Sequence, residues 1–395
     1  MGQGFSSGNA LFVYLDKPHY FPGDVVNGYV LLNCVSAFQA SALVLKVEGY
    51  EKTMWEERVE DKRFDNDKNE WITDTRTNNY HGRKDFFKLK VPLSSYPQQV
   101  NPGQYQYGFT FALPVGLPGS FEYVDSGMCT GAGRTYYHTK AKIKYKVKAE
   151  AEVPGILKPN IRHKAYMMVH QRMVKPPSEV IASDNKHIKS CCCMDKGYAN
   201  MIANIQKDAY YAGEVANVIL QVDNKSEAAF REIQLELKRV VVLRADGAGY
   251  REMKDSMAKA KFPGVSAGDT LMGGAARVLS LPLPGTLQPT AMGHLVHSEY
   301  VLYVTLKAEG TFTSDAKLKV PVAIFANVPD YTQYNAPPPY WQPQTVMPAI
   351  QVAMPSAPPL PPPPQVMDDR GYQPPQPTYD GPSAPPAPGG GYPKI

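Results

Sequence analysis

One fourteen-residue pattern occurs twice in this chain, and the repeat limits the folds that the chain can adopt. Lys17–Val30 (KPHYFPGDVVNGYV) aligns without gaps to Lys207–Leu220 (KDAYYAGEVANVIL), 190 residues later. Each copy reads as a turn that opens a strand, because its central glycine can take a positive φ and apolar residues follow it. The LP-rich segments Leu113–Ser120 and Leu281–Thr290 form a second, weaker repeat. The chain is therefore predicted to contain two copies of one fold.

Short apolar alternations predict that this fold is built from β-strands. In residues 104–111 every second side chain is aromatic, and in residues 232–238 every second side chain is aliphatic. Such alternation buries one face of a strand and leaves the other face in water. No long stretch shows the helical period, and strands at this spacing are typical of β-sandwiches. The predicted fold class is all-β.

Proline is concentrated at the C-terminal end of the chain. Of the 37 prolines, 21 lie between Pro329 and Ile395, a stretch of 67 residues with only two basic residues and four aspartates. This composition buries too little apolar surface to offset the entropy of folding, so we expect a disordered tail. The remaining length fits two domains of about 150 residues. We predict an N-terminal segment (1–9), a first sandwich (10–172), a linker (173–190), a second sandwich (191–328) and the Pro-rich tail (329–395).

Composition excludes several classes of protein. No run approaches about eighteen apolar residues, and the N-terminus lacks the charged-then-apolar layout of a secretory signal. The five cysteines are an odd number, and three of them are adjacent, which is not the pattern of a disulfide framework. We therefore expect a cytosolic protein with reduced thiols. A net charge of +5 gives no reason to expect nucleic-acid binding.

Patterns of catalytic residues are missing from the sequence. The eight histidines are scattered, and none sits in a recognisable metal or triad pattern. The glycine-rich segment Gly127–Thr135 lacks the lysine of a phosphate-binding loop and follows no α/β pattern, so we interpret it as a hairpin loop. We expect neither an enzyme nor a bound cofactor or metal.

Five segments, each weak as a signal alone, form a recognisable set. They are the turn at Tyr20–Val30, the LP-rich segment Leu113–Glu122, the cysteine-rich opening of the second domain, the turn at Tyr210–Glu214 and the segment Leu281–Val304. Together they resemble the arrestin-domain proteins, specifically the α-arrestins, over roughly residues 10–326. Ala212 departs from the pattern, because the first copy of the turn has Pro22 at this place. The resemblance implies two Ig-like arrestin sandwiches and a trafficking adaptor rather than an enzyme.

The tail contains a PPxY motif at residues 337–340 (PPPY). Proline fixes φ near its polyproline II value, so the segment loses little entropy when it docks in the aromatic-lined grooves of a WW domain. The predicted contacts are Pro337, Pro338 and Tyr340. In the α-arrestins that the chain resembles, such a motif recruits HECT-type ubiquitin ligases. The alternative is a tyrosine that follows prolines by chance.

The tetrapeptide PSAP occurs twice in the tail. The only two serines of residues 329–395 both stand at its second position, which composition alone does not explain. Peptides of this type bind the UEV domain of ESCRT-I as extended ligands, and two copies raise the effective concentration. The alternative is a proline-rich spacer. The predicted contacts are Pro355, Ser356, Ala357 and Pro358, and Pro382, Ser383, Ala384 and Pro385.

Two sites are candidates for lipid attachment. The N-terminus fits M-G-x-x-x-[ST], which offers Gly2 for myristoylation. One myristoyl chain binds a membrane only marginally, so a second signal is needed. Cys191, Cys192 and Cys193 are candidates for S-palmitoylation, and burial as small apolar residues is the alternative. Zinc is disfavoured there, because three consecutive strand residues cannot all face one tetrahedral centre.

Lysine occupies every second position from 140 to 148. Strand alternation puts all five ammonium groups on one face, over about 26 Å at about 3.3 Å per residue. We expect this face to be solvated, paired with acidic cross-strand neighbours, or in contact with an acidic lipid surface or cargo tail. The predicted basic stripe is Lys140, Lys142, Lys144, Lys146 and Lys148.

The residues and the resemblance lead to one functional hypothesis. We expect a cytoplasmic adaptor, peripherally associated with the plasma membrane or endosomes, that binds transmembrane cargo tails or acidic phospholipids. Its tail is expected to recruit a WW-domain ubiquitin ligase and ESCRT-I for endocytosis, sorting or budding. The alternative is a structural coat or retromer-like scaffold with an arrestin fold and no ligase recruitment.

Overall fold

The computed structural model describes residues 8–328 and 341–352, except residues 68, 97–98, 126, 132–133, 156–159, 191–193, 248 and 311. Regular structure in these residues is β, apart from one short 3₁₀ helix at Gly273–Ala275. In this part of the chain no helix is long and apolar enough to cross a membrane. The prediction of an all-β fold is confirmed.

The strands follow one another closely along the chain. Those of the first half are β1 (Ala10–Leu15), β2 (His19–Tyr20), β3 (Val25–Cys34), β4 (Phe38–Gln39), β5 (Ala42–Asp65), β6 (Glu70–Ser95), β7 (Gln99–Val100), β8 (Gly103–Ala112), β9 (Phe121–Asp125), β10 (Cys129–Gly131), β11 (Arg134–Glu152) and β12 (Ile161–Val169). Those of the second half are β13 (Val180–Lys189), β14 (Asp195–Ile205), β15 (Ala209–Tyr211), β16 (Val215–Ser226), β17 (Phe230–Arg244), β18 (Tyr250–Val265), β19 (Thr270–Leu271), β20 (Arg277–Pro282), β21 (Ala291–Met292), β22 (Val296–Ala308) and β23 (Ala316–Phe325), and β24 (Thr345–Val352) follows in the tail.

Two pairs of sheets form two sandwiches. In the first, a sheet of order β1-β3-β8-β24 faces one of order β2-β12-β11-β5-β6, in which β9 and β10 also pair with β11. In the second, β13-β14-β16-β19 with β20 on β16 faces β15-β23-β22-β17-β18 with β21 on β22. Each pair of sheets encloses its own apolar core, so the predicted two-sandwich architecture is confirmed.

The sequence repeat marks the same turn in both sandwiches. Gly23 and Gly213 have φ values of 85° and 92°, which side chains other than glycine rarely adopt. The carboxylate that follows each glycine, Asp24 or Glu214, accepts the backbone N–H three residues earlier, at 3.1 Å and 3.2 Å. The repeat therefore opens β3 in the first sandwich and β16 in the second.

Alternation predicts burial correctly in β8 and only in part in β17. Tyr107, Phe109 and Phe111 of β8 are buried, as predicted, and Tyr105 is half-buried. In β17 the polar residues Gln234 and Glu236 are buried as well. Both are hydrogen-bonded, since the Gln234 amide donates to Glu236 at 3.0 Å and the Ser256 hydroxyl of β18 donates to Glu236 at 2.7 Å. The prediction of a solvated face is therefore wrong at these two positions, whereas Glu232 and Lys238 of the same face are half-buried.

Two strands lie outside the predicted sandwiches. Residues 180–189, placed in the linker by the sequence, form β13 and pair with β14. Only Ile188 of this strand is buried, so the sequence has no apolar alternation from which the strand could be predicted. Residues 345–352, placed in the disordered tail, form β24 and pair with β8, with Pro348 at an irregularity of the ladder. Both are edge strands, which gain stability from backbone pairing with an existing sheet more than from their own apolar residues.

The two sandwiches share apolar packing at their junction. Val241 and Leu243 of β17 and Val296 of β22 pack into the core of the first sandwich. Trp55 of β5 is buried in the same core and stacks on Tyr80 of β6 with ring centroids 5.0 Å apart. The junction is therefore a continuous hydrophobic core rather than a solvated hinge.

A buried carboxylate reinforces this junction. Glu51 of β5 is fully buried, and its oxygens accept the backbone N–H groups of His294, Leu295 and Val296 at 2.8, 2.7 and 3.0 Å. Gly293 leaves room for the carboxylate, because a Cβ at this position would lie 2.5 Å from Glu51 Oε2. The first sandwich thus holds the loop before β22 by three charge-assisted hydrogen bonds.

Candidate functional site: a basic face on the first sandwich

The lysine stripe lies on the outer face of β11, between β5 and β12. The four residues that alternate with the lysines are buried in the core of the first sandwich. The lysines themselves are exposed or half-buried. The period of the strand therefore places their ammonium groups on one side of the sheet, and these residues are Lys140, Lys142, Lys144, Lys146 and Lys148.

Acidic neighbours pair with three of the five lysines. Two of the acids come from the adjacent strands β5 and β9, and the third lies on β11 itself. The ion pairs are Lys144–Glu122 (3.0 Å), Lys146–Glu48 (2.8 Å) and Lys148–Glu150 (2.8 Å).

The Glu150 carboxylate accepts more hydrogen bonds than an exposed acid of this face. Burial alone raises the pKa of its carboxyl, but hydrogen bonds from Lys148, Lys46 and Asn160 outweigh burial and lower the pKa to about 2. Lys46 lies on β5 with its Nζ 2.7 Å from Glu150 Oε2. Glu150 is therefore ionised at neutral pH and occupies two lysines of this face.

Lys140 and Lys142 have no acidic partner within 4 Å among the described residues. Lys142 Nζ lies 6.0 Å from the centroid of the Tyr50 ring, which Lys146 Nζ and the Arg83 guanidinium also approach, at 5.8 Å and 4.7 Å. An aromatic ring attracts a cation without neutralising its charge. The charges of Lys140 and Lys142 therefore remain available to an anionic partner.

Strands on both sides of β11 extend the stripe into a broader basic face. Strand register puts side chains of β5, β6 and β12 on the same side of the sheet as the lysines. Cations outnumber carboxylates on this side. Sequence spacing did not reveal the cations of β5, β6 and β12, because these strands come together only when the sheet forms. Besides the stripe, the basic face contains the cations Lys46, Lys52, Arg83, Lys88, Lys90, Arg162 and Lys164 and the acids Glu48, Asp85, Glu122, Glu150 and Glu152.

Two family models match the chain. The model of the arrestin (or S-antigen) N-terminal domain matches residues 11–174, and that of the C-terminal domain matches residues 195–329. Together they cover about three quarters of the sequence. The chain belongs to the arrestin-domain family. The resemblance to the α-arrestins found in the sequence is confirmed.

A curated relative agrees with this assignment. The arrestin-domain chain is 26% identical over 335 residues to Arrestin domain-containing protein A of Dictyostelium discoideum. The aligned region is 84% of this chain and 53% of the relative, so the chain spans about half the length of that protein. Strand β13 lies between the two regions that the domain models match.

The other predicted site residues of the arrestin-domain chain lie outside the described residues. These are Gly2, the cysteines 191–193, the PPPY motif at 337–340 and the PSAP motifs at 355–358 and 382–385. Of the predicted sites, the lysine stripe is the one that lies within the described residues. The roles of the other residues stay predictions.

A histidine pair, which the sequence did not reveal, lies beside the first repeat turn. His19 Nδ1 is 2.8 Å from His170 Nε2, and His170 is buried. Burial lowers the pKa of His170 to about 4, and the neighbouring His19 adds to the effect. Arg172, paired with Asp24 at 2.6 Å, stacks on the Phe21 ring beside His170. The pair is therefore neutral at neutral pH.

We expect this pair to make the arrestin-domain chain less stable in mild acid. Because the pKa of about 4 in the folded chain lies below the ordinary histidine value of 6.5, the stabilisation is complete above pH 6.5 and is lost as the pH falls toward 4. The loss is about 1–2 kcal/mol after allowance for solvent screening. The free energy of urea unfolding, measured at pH 7 and at pH 5, gives this loss. His170→Gln should narrow the difference between the two pH values, whereas exposed His81→Gln should not, and equal behaviour of both variants would contradict the assignment.

Proposed function

We propose that the arrestin-domain chain is a membrane-trafficking adaptor that links membrane cargo to a WW-domain HECT ubiquitin ligase and to ESCRT-I. In this proposal the PPPY motif at 337–340 binds the ligase, and the PSAP motifs at 355–358 and 382–385 bind the UEV domain. Cargo held by the sandwiches is then delivered for endocytosis, sorting or budding.

The order of the parts in one chain carries the proposal. A two-sandwich arrestin body with a basic face is followed by PPPY, which begins twelve residues after β23 ends at Phe325. Both serines of residues 329–395 then fall within PSAP. A body that binds at a membrane and a tail with ligands for two sorting modules are what an adaptor requires.

We assign an acidic lipid leaflet as the partner of the basic face. Each lysine close to such a surface contributes about 1 kcal/mol of binding free energy. Myristoylation of Gly2 and acylation of Cys191, Cys192 and Cys193 are proposed as further attachment signals, because one acyl chain alone binds only marginally. The intact mass of the chain purified from its own cells tests both modifications. The proposed location is the cytoplasmic side of the plasma membrane or endosomes.

Calorimetric titration of a recombinant WW domain and a recombinant UEV domain into peptides of residues 329–395 tests recruitment. Tyr340→Ala should weaken WW binding roughly tenfold or more and leave UEV binding unchanged, because the tyrosine fills a groove of the WW domain. Pro358→Ala combined with Pro385→Ala should do the reverse.

Pro362→Ala is the matched control, since it removes a proline that lies outside both kinds of motif. It should leave both affinities unchanged. A wild-type peptide that binds neither domain would contradict recruitment and favour a coat or scaffold role without a ligase.

A further inference from the structure

The first sandwich has a strand edge that the tail occupies. β8 pairs with β3 on one side, and its other side would present unpaired backbone N–H and C=O groups if β24 were absent. β24 pairs with this side in parallel, from Thr345 opposite Tyr105 to Val352 opposite Phe111. β1 forms the opposite edge of the same sheet. The β8 edge is therefore a surface that accepts an extended peptide by strand addition.

Contacts beyond the strand ladder also hold the tail. The backbone N–H of Gln342 donates to Gln104 Oε1 at 3.0 Å, and that of Gln344 donates to the Gln104 carbonyl at 2.8 Å. Trp341 is only 7% exposed, and Ile350 packs against the core of the first sandwich. Residues 341–352 are thus anchored by backbone bonds along their length and by an apolar side chain near each end.

Gly108 is the point of closest approach between β8 and the tail. A Cβ at this position would lie 3.0 Å from Ala349 Cα and 3.1 Å from Ala349 Cβ, which is closer than ordinary van der Waals contact. Gly108 is not among the glycines with positive φ, so its backbone suits any residue. Space for β24 is therefore the reason that the structure shows for a glycine here.

The docked segment lies between two of the tail motifs. Trp341 directly follows Tyr340 of the PPPY motif, and two residues separate Val352 from Pro355 of the first PSAP. Consecutive Cα atoms are about 3.8 Å apart, so a WW domain that grips Tyr340 must work within one residue of a side chain buried on the sandwich. Docking of the tail and full engagement of a WW domain therefore compete for the same short stretch of chain.

We propose that docking of residues 341–352 on the β8 edge shields the PPPY motif, so that a WW domain binds fully only after β24 leaves the edge. This inference rests on the proposed recruitment of a WW-domain ligase. The apparent association constant for the WW domain then equals that of the free motif multiplied by the fraction of molecules whose tail is undocked. Residues 341–352 occupy the β8 edge of the same chain. An extended peptide that displaces them from this edge makes the PPPY motif accessible.

Gly108→Val in the full chain tests the shield without changing the tail. The β-branched side chain suits a strand but collides with Ala349, so it should release β24 and leave the sandwich folded. We expect a recombinant WW domain to bind the Gly108→Val chain roughly tenfold or more tightly than the unmodified chain, and as tightly as a peptide of residues 331–345. Amide hydrogen exchange of residues 345–352 should accelerate in the same variant.

Ala10→Val on β1, the opposite edge of this sheet, is the matched control. It should change neither the affinity for the WW domain nor the amide hydrogen exchange of residues 345–352. If the peptide binds the WW domain and the unmodified and Gly108→Val chains bind it equally, shielding is wrong and recruitment stands. If the peptide itself does not bind, the recruitment function fails and shielding fails with it. Slow exchange at 345–352 in both chains would show that Gly108 does not control docking and would overturn the proposed mechanism of release.

Discussion

Replacing Glu51 with alanine is expected to lower the free energy of unfolding by about 3–5 kcal/mol. The substitution leaves three backbone N–H groups of the loop before β22 without their acceptor. These donors lie at the junction of the two sandwiches, where the carboxylate is fully buried, so leaving them without their acceptor costs free energy. Urea unfolding of the variant and of the unmodified chain at pH 7 measures the loss.

Gly293 supplies a second variant for the same contact. A methyl group at 293 would press on Glu51 Oε2, so Gly293→Ala should destabilise the unmodified chain. In the Glu51→Ala background the carboxylate is gone, and the same methyl group should cost much less. This non-additivity is the signature of a direct contact in a double-mutant cycle.

Glu60→Ala is the matched control, because Glu60 is an exposed residue of the same strand and pairs with Arg58 at 3.4 Å. Its loss should cost about 0.5 kcal/mol or less. A Glu51→Ala chain that unfolds at the same urea concentration as the Glu60→Ala chain would show that the buried carboxylate does not stabilise the junction.

Neutralising three unpaired lysines of the basic face is expected to weaken binding to acidic vesicles roughly a hundredfold. The variant replaces Lys52, Lys140 and Lys142 with glutamine, since none of the three has an acidic partner within 4 Å among the described residues. At about 1 kcal/mol per lysine, the three contribute about 3 kcal/mol of binding free energy. Sedimentation of the purified full chain with phosphatidylserine vesicles measures the change.

The control removes the same charge from another surface, with Lys259, Lys317 and Lys319 of the second sandwich changed to glutamine. Vesicle binding of this control should stay close to that of the unmodified chain, and added salt should weaken binding of both. Equal loss in the two triple variants would mean that net charge acts and the basic face does not. Unchanged binding in the first variant would remove the lipid assignment and leave acidic cargo tails as the partner to test.

Features that depend on neighbouring residues could be predicted well. Gly23 and Gly213 lie in the turns that the repeat indicated, and β8 and β11 bury the alternate residues that their periods indicated. In each case the decisive interaction is between side chain and local backbone, which a sequence displays directly.

Features that depend on strand pairing could not be predicted in this way. β13 has little apolar alternation, and β24 contains Pro348, so neither looks like a strand until a sheet edge is present to pair with it. The strand period places Glu51 on the buried face of β5, whereas Glu48 and Glu56 stand on the outer face, but the period does not show which groups the buried carboxylate binds. Only the position of the loop at 293–296 turns it into a buried acceptor.

The amino-acid sequence alone determined the all-β class, the two related sandwiches, the five lysines on one strand face and the short motifs of the tail. The tertiary structure decided which lysines are neutralised, what joins the sandwiches and where residues 341–352 dock. The reason is physical: period and turn chemistry act over a few residues, whereas ion pairs, buried acceptors and strand edges form between segments that only folding brings together.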